Sequence, residues 1–152
     1  LHCDIYEIVP AVAYPSNGND THFRAVEERE SGNLPKLKGT LPDLKKYQVI
    51  LVGGPVWSDY MSTPLMSYMA QSDFTNKRVA GFRTDAGTPG KYDSEFLRMA
   101  RESHADVAEQ VLGLSHVRSF TADELDLRIN EWFNTVGAIK SETYGSKTIT
   151  VK

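Results

Sequence analysis

The sequence predicts an α/β protein: a three-layer sandwich in which a parallel sheet carries helices on both faces. Two runs, residues 48–57 (QVILVGGPVW) and 78–88 (RVAGFRTDAGT), open with consecutive apolar positions, as suits strands covered on both faces. Each run is followed by apolar residues at helical spacing, so strand, loop and helix alternate, and the expected crossovers are right-handed. No internal repeat, heptad or low-complexity block competes with that pattern.

Length and charge narrow the function classes. The chain has 152 residues, enough for one domain with a real core. Its 17 Lys plus Arg against 20 Asp plus Glu give a net charge of -3, so neither nucleic acid nor an anionic membrane is an expected partner. The single cysteine, Cys3, cannot form an internal disulfide, and no Cys and His cluster offers a zinc site. A cytoplasmic location is the expectation. No stretch approaches the roughly 20 apolar residues that cross a bilayer. Asp4 and Glu7 interrupt the opening residues, which therefore make no signal-peptide core. Leu1 in place of methionine leaves a preceding segment open.

Taken in order, residues 4–9 (DIYEIV) form a β-prone run closed by Pro10, a predicted strand. Residues 11–20, with Pro15 and the Asn17-Gly18 step, carry turn chemistry. Thr21 to Glu30 places Phe23 and Val26 at helical spacing, with Glu27, Glu28 and Glu30 on a solvated face; Gly32, Pro35 and Pro42 then prevent long regular structure. The second strand covers Val49 to Val52 and ends in a Gly53 to Trp57 loop. Thr63-Pro64 supplies a capping hydroxyl and a first-turn proline for a helix whose buried side carries Leu65, Tyr68 and Met69. A third strand, Arg78 to Phe82, leads into the Thr84 to Thr88 loop. Asp93 or Ser94 then caps a helix with Phe96, Leu97 and Ala100 on its inner face. A β-like stretch runs from Ala105 to Leu114. Thr121 and Glu124 have capping-box spacing ahead of a stripe of Leu125, Ile129, Trp132, Phe133 and Val136. Met61, Met66 and Met69 are expected in the core with Trp132 and Phe133. The domain spans residues 1–139. In the tail, 140–152, Thr148, Ile149, Thr150 and Val151 alternate, which is the pattern of an edge strand; a disordered end is the alternative.

These residues resemble the flavodoxin-like family: DIYEIVP at Asp4 to Pro10, Tyr14-Pro15, G-x-P-x-W at Gly53 to Trp57, and F-x-T-x-x-G-[ST] at Phe82 to Thr88. The resemblance implies noncovalent FMN at the carboxyl ends of the strands, a redox partner, and electron transfer or small flavin-dependent reduction. It also implies that DIYEIV is the family's second strand. The first strand and its phosphate-wrapping loop have no counterpart here, so the first strand is missing or replaced. FMN binding is then weakened or lost, because aligned backbone N–H groups supply much of the phosphate affinity. Three explanations stand: truncation, a rearranged sheet whose gap the Lys147 to Val151 tail fills, or pairing with another chain as a homodimer. The competing function is a flavin-free domain that acts through self-association or a partner.

A flat, largely apolar ring needs stacking faces and backbone partners. By the resemblance the cofactor-binding set is Pro55, Val56, Trp57, Ser58 and Tyr60 from one loop, with Thr84, Asp85, Ala86, Gly87 and Tyr92 from the other. Trp57, Tyr60 and Tyr92 are the stacking faces, and Thr84 to Gly87 meet the pyrimidine edge. Carboxylates at Asp59 and Asp85 would disfavour negative charge on the ring. Ser58 stands where relatives often carry a second aromatic, and Asp85 where histidine or serine is common. Each residue also has a plain reading: Trp57 and Tyr60 as half-buried loop aromatics, Gly53-Gly54 as a strand end, Asp85 as a turn cap. His2, His22, His104 and His116 show no spacing for metal or triad work. Ser58 beside Asp59 lacks a base, so neither a hydrolase nor a catalytic residue is expected.

Overall fold

The computed structural model describes residues 3–137. Its elements in chain order are α1 (Gly18–Ser31), β1 (Val49–Trp57), β2 (Tyr60–Met61), α2 (Thr63–Gln71), β3 (Arg78–Asp85), α3 (Tyr92–Glu102), β4 (Asp106–Val107), β5 (Leu112–Ser115) and α4 (Ala122–Val136). β3 is central. It pairs in parallel with β1 on one side and with β4 and β5 on the other, while β2 folds back antiparallel on β1.

Two apolar clusters make the three layers. On one face Ile50, Val52 and Val79 meet Leu65 and Met69 of α2 and Phe96 and Met99 of α3. On the other, Ala80 and Ala108 meet Trp132 and Val136 of α4, with Leu51 and Phe82 alongside. Successive strand residues thus enter opposite cores, as the pleat requires. The three methionines, Trp132 and Phe133 lie where expected, Phe133 half-buried at the margin. The α4 capping box is present in full: the Thr121 hydroxyl accepts from Glu124 N, and the Glu124 carboxylate accepts from Thr121 N.

Several boundaries differ from expectation, each for a local reason. The Asn17-Gly18 step starts α1 instead of a turn, because the Asn17 side chain caps Asp20 N at 2.8 Å. β1 does not stop at Val52. It continues through Gly53-Gly54-Pro55, paired with Phe82 to Thr84, and a Cβ on Gly53 would sit 2.2 Å from the Phe82 carbonyl oxygen. Gly53 therefore serves close strand-to-strand approach rather than a turn. Ser62, not Thr63, is the N-cap residue of α2 and makes no side-chain cap bond. Lys91 holds that place in α3, again without one, which leaves Asp93 inside the first turn. The Ala105–Leu114 stretch is two short strands, broken where Trp132 Nε1 donates to the Gln110 carbonyl at 3.0 Å.

Residues 4–9 are not a strand. They have no ladder partner among the described residues, and the segment instead lays Ile8 against the α2 side of the core and Tyr6 against Tyr68, ring centroids 5.9 Å apart. Only Val9 to Ala11 pair briefly with Lys36 to Lys38. The tail predicted at 140–152 lies outside the described residues.

Candidate functional site

Both glycine-bearing loops open at one rim. Parallel pairing runs up to Pro55 opposite Thr84, so β1 and β3 deliver their loops side by side. β1 turns into β2 through Ser58 and Asp59, whose φ values of 51° and 70° follow the primed two-residue hairpin turn. The Asp59 carbonyl accepts from Lys91 N at 2.6 Å. Gly90, at φ 56°, lies so close that a Cβ would come within 2.4 Å of the Asp59 backbone. The two turns touch.

Trp57 is half-buried, its ring edge-on to Tyr14 at 5.0 Å and 72°. Tyr60 stands opposite Trp57 in register, with the Arg29 guanidinium 4.0 Å and Lys91 Nζ 5.5 Å from its ring centre. The Arg29 guanidinium thus already stacks on the Tyr60 ring, and Lys91 Nζ also donates to the Tyr60 hydroxyl at 3.2 Å. Tyr92 is fully buried and donates to the Phe82 carbonyl at 3.0 Å. It cannot offer a stacking face at the rim; as the first residue of α3 it falls on the same inner side as Phe96 and is drawn into the core. Pro55 is exposed, Val56 and Ser58 are half-buried.

The second loop is locked from below. Asp85 has a side chain only 1 % exposed; it pairs with the Arg83 guanidinium, and its Oδ1 accepts from Gly87 N at 2.8 Å. Arg83 Nε also donates to Asp93 Oδ1 at 2.7 Å. Burial pushes the Asp85 carboxyl up, but the hydrogen bonds from Ser115, Gly87 and Arg83 outweigh it and hold the group below the usual carboxylate range. Its charge is therefore compensated by Arg83 rather than turned toward the rim. Thr84 is half-buried, while Ala86, Gly87 and Thr88 form an exposed tip. Gly87 adopts φ 113°, and a Cβ there would meet His116 Nε2 at 2.9 Å, so glycine is needed on both counts.

Two features escaped the sequence reading. Glu28 is not on a solvated face: its carboxylate accepts from Tyr14, from Thr63 Oγ1 at 2.6 Å and from Arg24 Nε at 2.8 Å. Burial pushes Glu28 up, and these three donors together bring it below its ordinary value; burial and the same contact push the Tyr14 hydroxyl up to about 12. This cluster holds Tyr14, and through it Trp57, against α1 and α2. The Tyr14-Pro15 step was its only visible signal. Ser58 does have a partner base, since its Oγ lies 2.5 Å from His22 Nδ1. No third group orients His22 in the described hydrogen bonds, and the ring is exposed.

Clefts open on both sides of Trp57. One, of about 670 Å³, lies between residues 5–8 and Gly53 to Pro55, with Tyr14, Ser62 and Leu65 on its walls. The other, of about 270 Å³, is bounded by α1 and Ser58. An aromatic cover on the wall of a cleft, and at the same rim an exposed backbone tip with a glycine at positive φ, fit a planar heteroaromatic ring. Among the described residues no cluster of His, Cys, Asp and Glu could hold a metal ion. No described helix is long and apolar enough to cross a membrane.

A sequence model of the flavodoxin family matches residues 1–135. Among solved structures, a flavoprotein in complex with FMN from Lactobacillus acidophilus is 25% identical, with 82% of this chain and 75% of that chain covered at a TM-score of 0.61. A candidate flavoprotein from Bacteroides eggerthii is 22% identical over 90% of this chain and 82% of its own, TM-score 0.69. One from Bacteroides uniformis is 23% identical over 82% and 80%, TM-score 0.66. No curated protein matches the chain.

Proposed function

The chain belongs to the flavodoxin family, and from that premise we propose that it binds FMN noncovalently at the two-turn rim and serves electron transfer or small flavin-dependent reduction. The observation that carries this reading is the half-buried Trp57 on the wall of the larger cleft, with the exposed Ala86 to Thr88 tip brought to the same rim by the β1–β3 pairing. Support also comes from the Lactobacillus relative, whose structure holds FMN.

Trp57 would cover the ring, and Pro55 and Val56 would line its approach. Ala86, Gly87 and Thr88 would present backbone groups to the pyrimidine edge, on a loop kept in shape by Asp85 and Arg83. When bound, the flavin supplies one- or two-electron chemistry. The chain's own residues bind and orient it and set the polarity around it. With Asp85 neutralised by Arg83, Asp59 at the exposed hairpin tip is the carboxylate left to oppose negative charge at the rim. A redox partner would dock over the exposed tips of the two loops.

FMN titrated into the purified protein tests the reading through quenching of flavin fluorescence. Trp57→Ala should weaken binding roughly 30-fold, because an aromatic cover contributes about 2 kcal/mol through burial and stacking. A wild-type protein that is colourless and leaves flavin fluorescence unchanged at millimolar FMN would refute it.

A further inference from the structure

A third loop reaches the rim. β5 pairs in parallel with β3 up to Ser115 opposite Asp85, so the next residue, His116, comes level with Ala86. Its backbone is fixed there: His116 N donates to the Asp85 carbonyl at 2.8 Å, and the His116 carbonyl accepts from Ser119 N and from Ser119 Oγ, each at 2.8 Å. The residue adopts φ 52°, a left-handed conformation that few non-glycine residues hold. From it the imidazole lies against the neighbouring bend, where a Cβ on Gly87 would meet His116 Nε2 at 2.9 Å.

The charged groups packed near this loop are engaged. Arg83 of β3 pairs with Asp85 below the bend and with Asp93 of α3, and the Asp85 side chain is only 1 % exposed. At the hairpin, Lys91 Nζ donates to the Tyr60 hydroxyl, and the Arg29 guanidinium lies on the Tyr60 ring. His116 is exposed, and its ring takes part in none of the described hydrogen bonds or ion pairs. Arg118, two residues further on, is the other exposed cation of this loop.

We propose that His116, set against Gly87, is a specificity-determining residue of the flavin site that favours the reduced, negatively charged ring over the oxidised, neutral one. The proposal rests on the reading above, in which the Ala86 to Thr88 tip meets the pyrimidine edge of FMN. Backbone groups of the tip carry the same partial charges whichever form is bound. An imidazole responds, because it takes up a proton near neutrality and so answers an added negative charge with a positive one. Asp59 opposes that charge from the hairpin, and His116 offsets it from the adjoining loop.

Anaerobic titration of the full chain with FMN and with dithionite-reduced FMN at neutral pH, followed by quenching of tryptophan fluorescence, tests this. His116→Asn keeps a residue that tolerates positive φ. It should weaken binding of reduced FMN roughly tenfold, the scale of one screened contact between unlike charges, and of oxidised FMN less than about twofold. For a two-electron couple, tenfold lowers the potential of the bound flavin by about 30 mV. His116→Lys should restore the preference for the reduced form, and Arg118→Gln should match wild type. Equal losses for both forms in His116→Asn would leave His116 a structural role only and overturn the proposal. So would a His116→Asn preference equal to that of wild type, or the same change in Arg118→Gln, which would make the effect a diffuse field of the loop. In each of these cases wild type still binds FMN; a wild type that binds neither form would instead remove the FMN reading itself, and this proposal with it.

Discussion

Glu28→Ala should destabilise the protein by roughly 2–4 kcal/mol. Glu28 has a side chain 12 % exposed and accepts from Tyr14, Thr63 and Arg24. Deleting it does not orphan all three donors. Tyr14 and Thr63 remain 2.7 Å apart and can bond each other, and Arg24 keeps the Ala13 and Val12 carbonyls. About one buried donor loses its partner, costing roughly 1–3 kcal/mol, and the lost methylenes add about 1 kcal/mol. At this chain length roughly 2–4 °C of Tm accompanies each kcal/mol, so the melting temperature should fall by roughly 5–15 °C. Circular-dichroism melts at several pH values give the second half of the test. Glu28 titrates below its unfolded value, so its contribution is complete above about pH 4.3 and fades as pH falls through the lower, folded value. The stability gap between wild type and Glu28→Gln should accordingly be widest near neutrality and shrink below about pH 4. A Glu28→Ala protein melting within 1 °C of wild type, or a gap indifferent to pH, would refute the reasoning.

Neighbouring glycines should respond differently to one methyl group. Gly53→Ala drives a Cβ into Phe82 and should cost about 1–3 kcal/mol or more in urea unfolding, whereas Gly54→Ala makes ordinary contacts with Leu65 Cδ2 at 3.6 Å and Ser62 Oγ at 3.9 Å and should stay within about 1 kcal/mol. Asp85→Asn keeps an acceptor for Gly87 but leaves Arg83 with only Asp93, a loss of about 2 kcal/mol measurable in the same unfolding curves. Thr121→Ala removes the α4 capping box and should cost about 1 kcal/mol; a Tm unchanged within error would show that α4 is held by Trp132 and Val136 alone.

Local rules already determined much of this protein in its sequence. Consecutive apolar residues marked β1 and β3, the 3.6-residue stripe and Thr121-to-Glu124 spacing marked α4, and the two glycine-bearing loops marked the rim, because each signal lies within a few residues of chain. Tertiary structure decided what depends on contacts across the chain. Gly53 looks like a turn residue until Phe82 presses on it, and Glu28 looks solvated until Tyr14 and Thr63 arrive from 14 and 35 positions away. Tyr92 looks like a ring cover until the helix it opens turns it inward. DIYEIV has the composition of a strand, yet a strand exists only where another offers it hydrogen bonds, and composition carries no information about a partner.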